Sequence, residues 1–131
     1  MLRVAFDVPP GEGLSRYLFH NSRIKRSNKT VRYTAFEPPV SGRLSVYWTS
    51  RLPEIQIWQI CAQHVEPAFG KPVIARADVN SLHVYAEDLA VEVTGVPHVR
   101  HADIVGWDLA STRTRLQAVK LASVAVLVEP C

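Results

Sequence analysis

Arg43-Leu44-Ser45-Val46-Tyr47-Trp48-Thr49 is the clearest strand in the chain. Leu44, Val46 and Trp48 fall on one side and Ser45, Tyr47 and Thr49 on the other, as the two-residue period of a pleated strand requires. The same alternation recurs at 72–79, where Val73, Ala75, Ala77 and Val79 oppose Arg76 and Asp78. It returns at Leu89, Val91 and Val93, which oppose Glu92 and Thr94, and at the start of the chain, where Leu2, Val4, Phe6 and Val8 precede Pro9-Pro10-Gly11. A shorter strand is expected at 31–36, ended by Pro38-Pro39.

Between these runs the period changes. Residues 53–65 open on Pro53, which suits a first helical turn, and Ile55, Trp58, Ala62 and Val65 make one apolar stripe before Pro67. Trp107-Asp108 leads into a last helix with Asp108 as its cap, Arg113, Gln117 and Lys120 on the wet face, and Leu109, Leu116, Val119 and Ala122 on the dry one. Residues 14–24 read as a short helix or turn and 21–30 as a polar loop. Past Leu121 the chain is apolar all round, which fits a buried helix or a late strand equally. Strands and helices in mixed order, without βαβ repeats, point to one α+β domain with a mainly antiparallel sheet and two principal helices packed on one face.

A chain of 131 residues is one domain by length and buries enough surface to fold without a disulfide. Cys61 and Cys131 are read as free thiols, which suits a reducing cytosol. The opening residues carry Arg3 and Asp7 and lack the apolar core of a signal peptide. No run approaches the length of a membrane helix, so no membrane partner is expected; 121–128 is the longest and contains Ser123.

The net charge of +3 hides a sharp asymmetry. Residues 14–36 hold Arg16, Arg23, Lys25, Arg26, Lys29 and Arg32 and no acid, so the remainder of the chain is net negative. Tyr17, Phe19, Tyr33 and Phe36 are interleaved with those charges. Cations that contact phosphates beside rings that stack on bases are what single-stranded nucleic acid requires. The first expectation is therefore a small binding or regulatory domain for nucleic acid or another polyanion. Arg16, Arg23, Lys25, Arg26, Lys29 and Arg32 make the charge contacts, and Tyr17 or Tyr33 stacks.

A second cluster follows Pro97. His98, Arg100, His101 and Asp103 suit a small phosphate-ester-cleaving or transferring enzyme: two histidines as base and acid, Arg100 as clamp, Asp103 orienting His101. Arg76 and Asp78 are possible contributors. As a plain structural segment, the same residues make a turn after a strand. Cys61 with His64, and His98 with His101, also give two ligand pairs for a tetrahedral zinc, although their separation along the chain is unlike compact zinc modules. A third class of function, an interaction subunit or homo-oligomer, would use 121–128. His20 and His83 stand alone, and Trp48, Trp58 and Trp107 read as core. The chain lacks a phosphate-cradling glycine loop, a Gly-x-Ser-x-Gly elbow and a Cys-x-x-Cys pair, which argues against nucleotide-dependent enzymes, serine hydrolases and thiol redox proteins.

Overall fold

A computed structural model describes residues 7–130. In chain order its elements are β1 (Gly13–Leu18), β2 (Ile24–Lys25), β3 (Thr30–Val31), β4 (Leu44–Trp48), α1 (Glu54–Ile60) and α2 (Glu66–Phe69). They continue with β5 (Ala75–Asn80), α3 (Ser81–Ala86), β6 (Ala90–Val93), β7 (His101–Val105), α4 (Arg113–Val124) and β8 (Val126–Val128). The fold is α+β: one antiparallel sheet of six strands in the order β6-β7-β4-β1-β5-β8, with β2 and β3 as a separate hairpin. The strand expected at the N-terminus lies mostly outside the described residues, as does Cys131.

The strands at 43–49 and 72–79 form with the anticipated faces. Each strand then buries both of its sides. Leu14, Leu18, Leu44, Val46, Ala75, Ala77 and Ile104 join one core with Ala118, Leu121 and Ala122 of α4. The alternate residues Tyr17 and Tyr47 join a second core with Ile57, Ile60, Cys61 and Val65. The two principal helices therefore lie one on each side of the sheet. This corrects the expectation of both on one face: β1 and β4 carry Tyr17 and Tyr47 on the side opposite their aliphatic residues, and α1 packs there.

The helices also turn different faces inward than their stripes suggested. In α1, Ile57 and Ile60 are buried while Ile55 is 68% exposed. The chain passes from α1 into α2 through a π turn at Cys61–Val65, and Pro67 falls in the first turn of α2, so it does not end the helix. Gly70, at φ 67, ends it instead, in a conformation that glycine adopts without strain. In α4 the buried residues are Gln117, Ala118, Leu121 and Ala122, while Leu116 and Val119 are exposed, as is Leu109 ahead of the helix. Gln117 is half satisfied in this position: its Nε2 donates to Glu87 O, and its buried Oε1 has no partner among the described residues. Thr112, not Asp108, precedes the helix, and Asp108 lends its carbonyl to Ser111 and Thr114. Residues 121–128 turn out to be both alternatives: the end of α4, then edge strand β8 against β5.

Residues 14–18, expected as helix or turn, are strand β1 at the centre of the sheet. Arg16 conceals the alternation by standing between Leu14 and Leu18 on the same side. Residues 31–36 split into β3 and a 3-10 turn at Tyr33–Phe36. Asn80 starts α3 by accepting from Leu82 N, capping the helix. Among the described residues no helix is long and apolar enough to cross a membrane.

Candidate anion-binding cleft

The site begins with a fault in the sheet. β1 pairs with β5 along its whole length, from Gly13↔Asn80 to Leu18↔Ala75. With β4 it pairs only at Leu14↔Trp48 and Ser15↔Tyr47. Beyond that point β1 and β4 separate, and the Arg16 guanidinium reaches across. Its Nε donates to Ala35 O at 2.6 Å and its Nη1 to Ser45 O at 2.9 Å.

A cleft of about 510 Å³ opens beside this gap. Its cationic lining is Arg16, Arg23 and Lys71, and His20, His64 and His101 also border it. Tyr17, Phe19, Tyr47 and Phe69 supply aromatic wall, and no aspartate or glutamate lines the cleft among the described residues. Arg16 is only partly exposed and has no carboxylate partner among the described residues. Burial, with the Arg23 charge adding to it, lowers its pKa to about 10, so it stays protonated at neutral pH. Arg23 is held by Nη1 donating to Thr34 O. The rings of Phe19 and Phe69 meet at 4.7 Å between centroids, and Phe69 is 64% exposed.

The basic segment is thus divided. Arg16 and Arg23 turn into the cleft. Lys25, Arg26, Lys29 and Arg32 lie on or beside the β2–β3 hairpin and are exposed, with Lys29 at φ 54 in its turn. Arg26 bonds Asn21 Oδ1 and stands 3.5 Å from Glu129, and Arg32 Nε donates to Ile24 O. The rings do not behave as platforms. Tyr17 is 6% exposed, donates its hydroxyl to Ile57 O, and packs edge-on to Tyr47. Tyr33 is covered by the Arg115 guanidinium, 4.7 Å from its centroid. Stacking by Tyr17 or Tyr33 is therefore corrected: the first ring ties α1 to the sheet and the second already carries a cation.

The cluster after Pro97 is divided as well. His101 and Asp103 are on β7, not in a loop. His101 has both ring nitrogens occupied, Nε2 with Ser45 Oγ at 2.7 Å and Nδ1 with Thr94 Oγ1. Burial lowers its pKa, with Asp103 opposing and Arg43 reinforcing the shift. Asp103 does not orient it: the nearest approach is 3.9 Å, and Asp103 instead accepts from Arg43, which also binds Glu92. Arg100 donates to Trp48 O and lies over the Trp48 ring. His98 accepts at Nδ1 from Arg100 N and meets the His64 ring edge-on at 4.8 Å; burial, His64 and Arg100 lower its pKa. His98 and His101 both lie edge-on to Tyr47, but the polar groups of His98, Arg100, His101 and Asp103 bond in different directions and do not converge as an acid, a base and a clamp.

Arg76 and Asp78 do not join them. They form a closed network under α1. Arg76 donates to Glu54 at 2.6 and 2.9 Å and to Asp78 at 3.0 Å, and Ser15 Oγ bonds Asp78 and Thr49. Among the described residues no three histidine, cysteine or carboxylate side chains come together as metal ligands, so Cys61, His64, His98 and His101 make no zinc site there. The Cys61 thiol is buried, and burial, with Glu66 nearby, pushes its pKa up to about 12, the reverse of a thiolate ligand.

His64 and Lys71 were not singled out by sequence as anion contacts. His64 enters the cleft from the π turn, and Lys71 follows the glycine that ends α2. A cation after a helix-ending glycine is too common to flag Lys71, and the spacing of His64 from Cys61 points to a metal pair instead. Comparison with protein families, curated proteins and solved structures returns no match, so the reading of this site rests on the chain's own residues.

Proposed function

We propose that this domain binds a phosphate-bearing anionic partner, nucleic acid foremost, with Arg16 as the anchor inside the cleft. The observation that supports it is the Arg16 guanidinium: partly buried, lining a cleft without a carboxylate, and accompanied there by Arg23 and Lys71. A cation removed from water without a counter-ion is costly, and an incoming anion removes that cost. The Asn21–Arg23 turn links this cleft to a shallower hollow that Lys25 and Arg32 help to line. A strand whose phosphate enters the cleft would meet those charges next. Base stacking by Tyr17 and Tyr33 drops out of the mechanism; charge contact remains.

The test is fluorescence anisotropy of a single-stranded oligonucleotide across salt concentration. Affinity is expected to fall steeply, with a log–log slope of about −0.7 per phosphate contacted. Replacing Arg23, Lys25 and Arg26 together should weaken binding and flatten that slope. Binding that is flat across salt, or unchanged in the triple variant, overturns the proposal.

A further inference from the structure

We infer that the β1–β4 cleft is a seat for a phosphate monoester carrying one flat ring, from a free mononucleotide or from the phosphorylated end of a strand. The inference deepens the anion-binding reading and rests on it. Three observations carry it: unmatched charge, free donors and the shape of the wall.

The charge exceeds what a phosphodiester supplies. Arg16 and Arg23 face one cleft, close enough for the second charge to depress the pKa of the first, and Lys71 adds a third cation. An internal phosphodiester brings one negative charge, whereas a terminal monoester brings up to two near neutral pH. Two guanidiniums without a carboxylate favour the dianion.

The donors are available. Arg16 uses Nε and one Nη1 hydrogen on backbone carbonyls, and Nη2 has no protein partner among the described residues. The bonds to Ala35 O and Ser45 O fix the plane of the guanidinium. The N–H groups of Nη2 then remain for charge-assisted hydrogen bonds to a phosphate.

The wall calls for a ring. The Phe19–Phe69 pair stands at the cleft, and Phe69, packed against Phe19, is still mostly exposed and offers apolar ring surface there. Cations and phenyl rings in one lining match a ligand with an anionic head and a flat apolar body. A volume of about 510 Å³ falls within the ~300–1,000 Å³ span of small-molecule sites and accommodates one such unit.

Isothermal titration calorimetry at about pH 7.5, where a phosphate monoester is mostly dianionic, separates these terms. Phenyl phosphate has both ring and dianion, methyl phosphate lacks the ring, and methyl phenyl phosphate keeps the ring with a single charge. Phenyl phosphate should bind at least about tenfold tighter than either control. R16M should abolish that binding, and R23Q, with an unchanged circular dichroism spectrum, should weaken it several-fold. Adenosine 5′-monophosphate and oligothymidylate with and without a 5′-phosphate then identify the source. Tighter binding of the mononucleotide points to a free nucleotide. A gain only from the 5′-phosphate points to a strand end, and failure of both while phenyl phosphate binds removes nucleotides as the ligand. If methyl phenyl phosphate or methyl phosphate equals phenyl phosphate, the ligand class is wrong while the anion seat survives. If no probe binds, inorganic phosphate and the oligonucleotides included, the anion-binding reading fails with it.

Discussion

Arg16 and Arg76 sit on neighbouring central strands, point to opposite sides of one sheet, and have opposite fates. Arg76 is 2% exposed. Burial alone would lower its pKa, but the hydrogen bonds it donates to Glu54 and Asp78 outweigh that and raise it. Trp58 covers its guanidinium at 5.1 Å. Every direction in which Arg76 could act is closed by protein, so its charge holds α1 to β5. Arg16 is bonded only to neutral carbonyls, and its pKa moves down. The lesson concerns partners more than burial: a buried arginine with two carboxylates is architecture, and a partly buried one without any keeps an unmatched charge.

The largest effect should come from breaking the closed site. E54Q combined with D78N leaves the Arg76 cation buried without a counter-ion, which should cost roughly 3 kcal/mol in urea unfolding, near the low end for a broken buried pair because water reaches Glu54. Ligand binding by the folded fraction should not change. R16M should show the reverse pattern. Binding is lost, while stability falls by only about 1–2 kcal/mol as Ala35 O and Ser45 O lose a donor and the buried charge is removed. If R16M destabilised as much as the double carboxylate variant, both arginines would be structural and the contrast would collapse.

The smallest effect concerns pH. The folded pKa values of His98 and His101 lie below the ordinary 6.5, so the unfolded chain takes up protons first. Their contribution is complete above that value and is lost as pH falls through it. Unfolding free energy should therefore decline from pH 7 toward pH 5, a step above the range where carboxylates titrate. H101Q should flatten part of that slope, and a profile level over the same range in the parent chain would show that neither ring is held neutral by the fold.

The strands at 43–49 and 72–79 were legible because each pairs a regular apolar side with a polar or ring-bearing one. β1 was not, since Arg16 occupies a core-side position that a period-two pattern assigns to an apolar residue. The same residue explains both the missed strand and the site: it breaks the local pattern because a cavity, not a core, lies at its tip. The helix faces were misjudged where tertiary bonds override composition, as in Gln117 donating to Glu87 O while Leu116 faces water. Excess positive charge in 14–36 was visible as a count. Its division into Arg16 and Arg23 facing inward and a hairpin facing outward depends on where β1 and β4 part, which no local pattern encodes. The histidines after Pro97 looked like chemistry because density in sequence resembles convergence in space, yet both rings rest edge-on to Tyr47 while their nitrogens bond different groups.

That parting of strands has a mechanical consequence. The sheet is two three-stranded halves, β6-β7-β4 and β1-β5-β8, stitched by the short Leu14–Ser15 and Tyr47–Trp48 seam. Arg16 belongs to one half, and Ser45 and His101 to the other. A molecule lodged between them would brace the two halves like a keystone, so the middle of this sheet, where most proteins are stiffest, is the place where its rigidity would depend on what it holds.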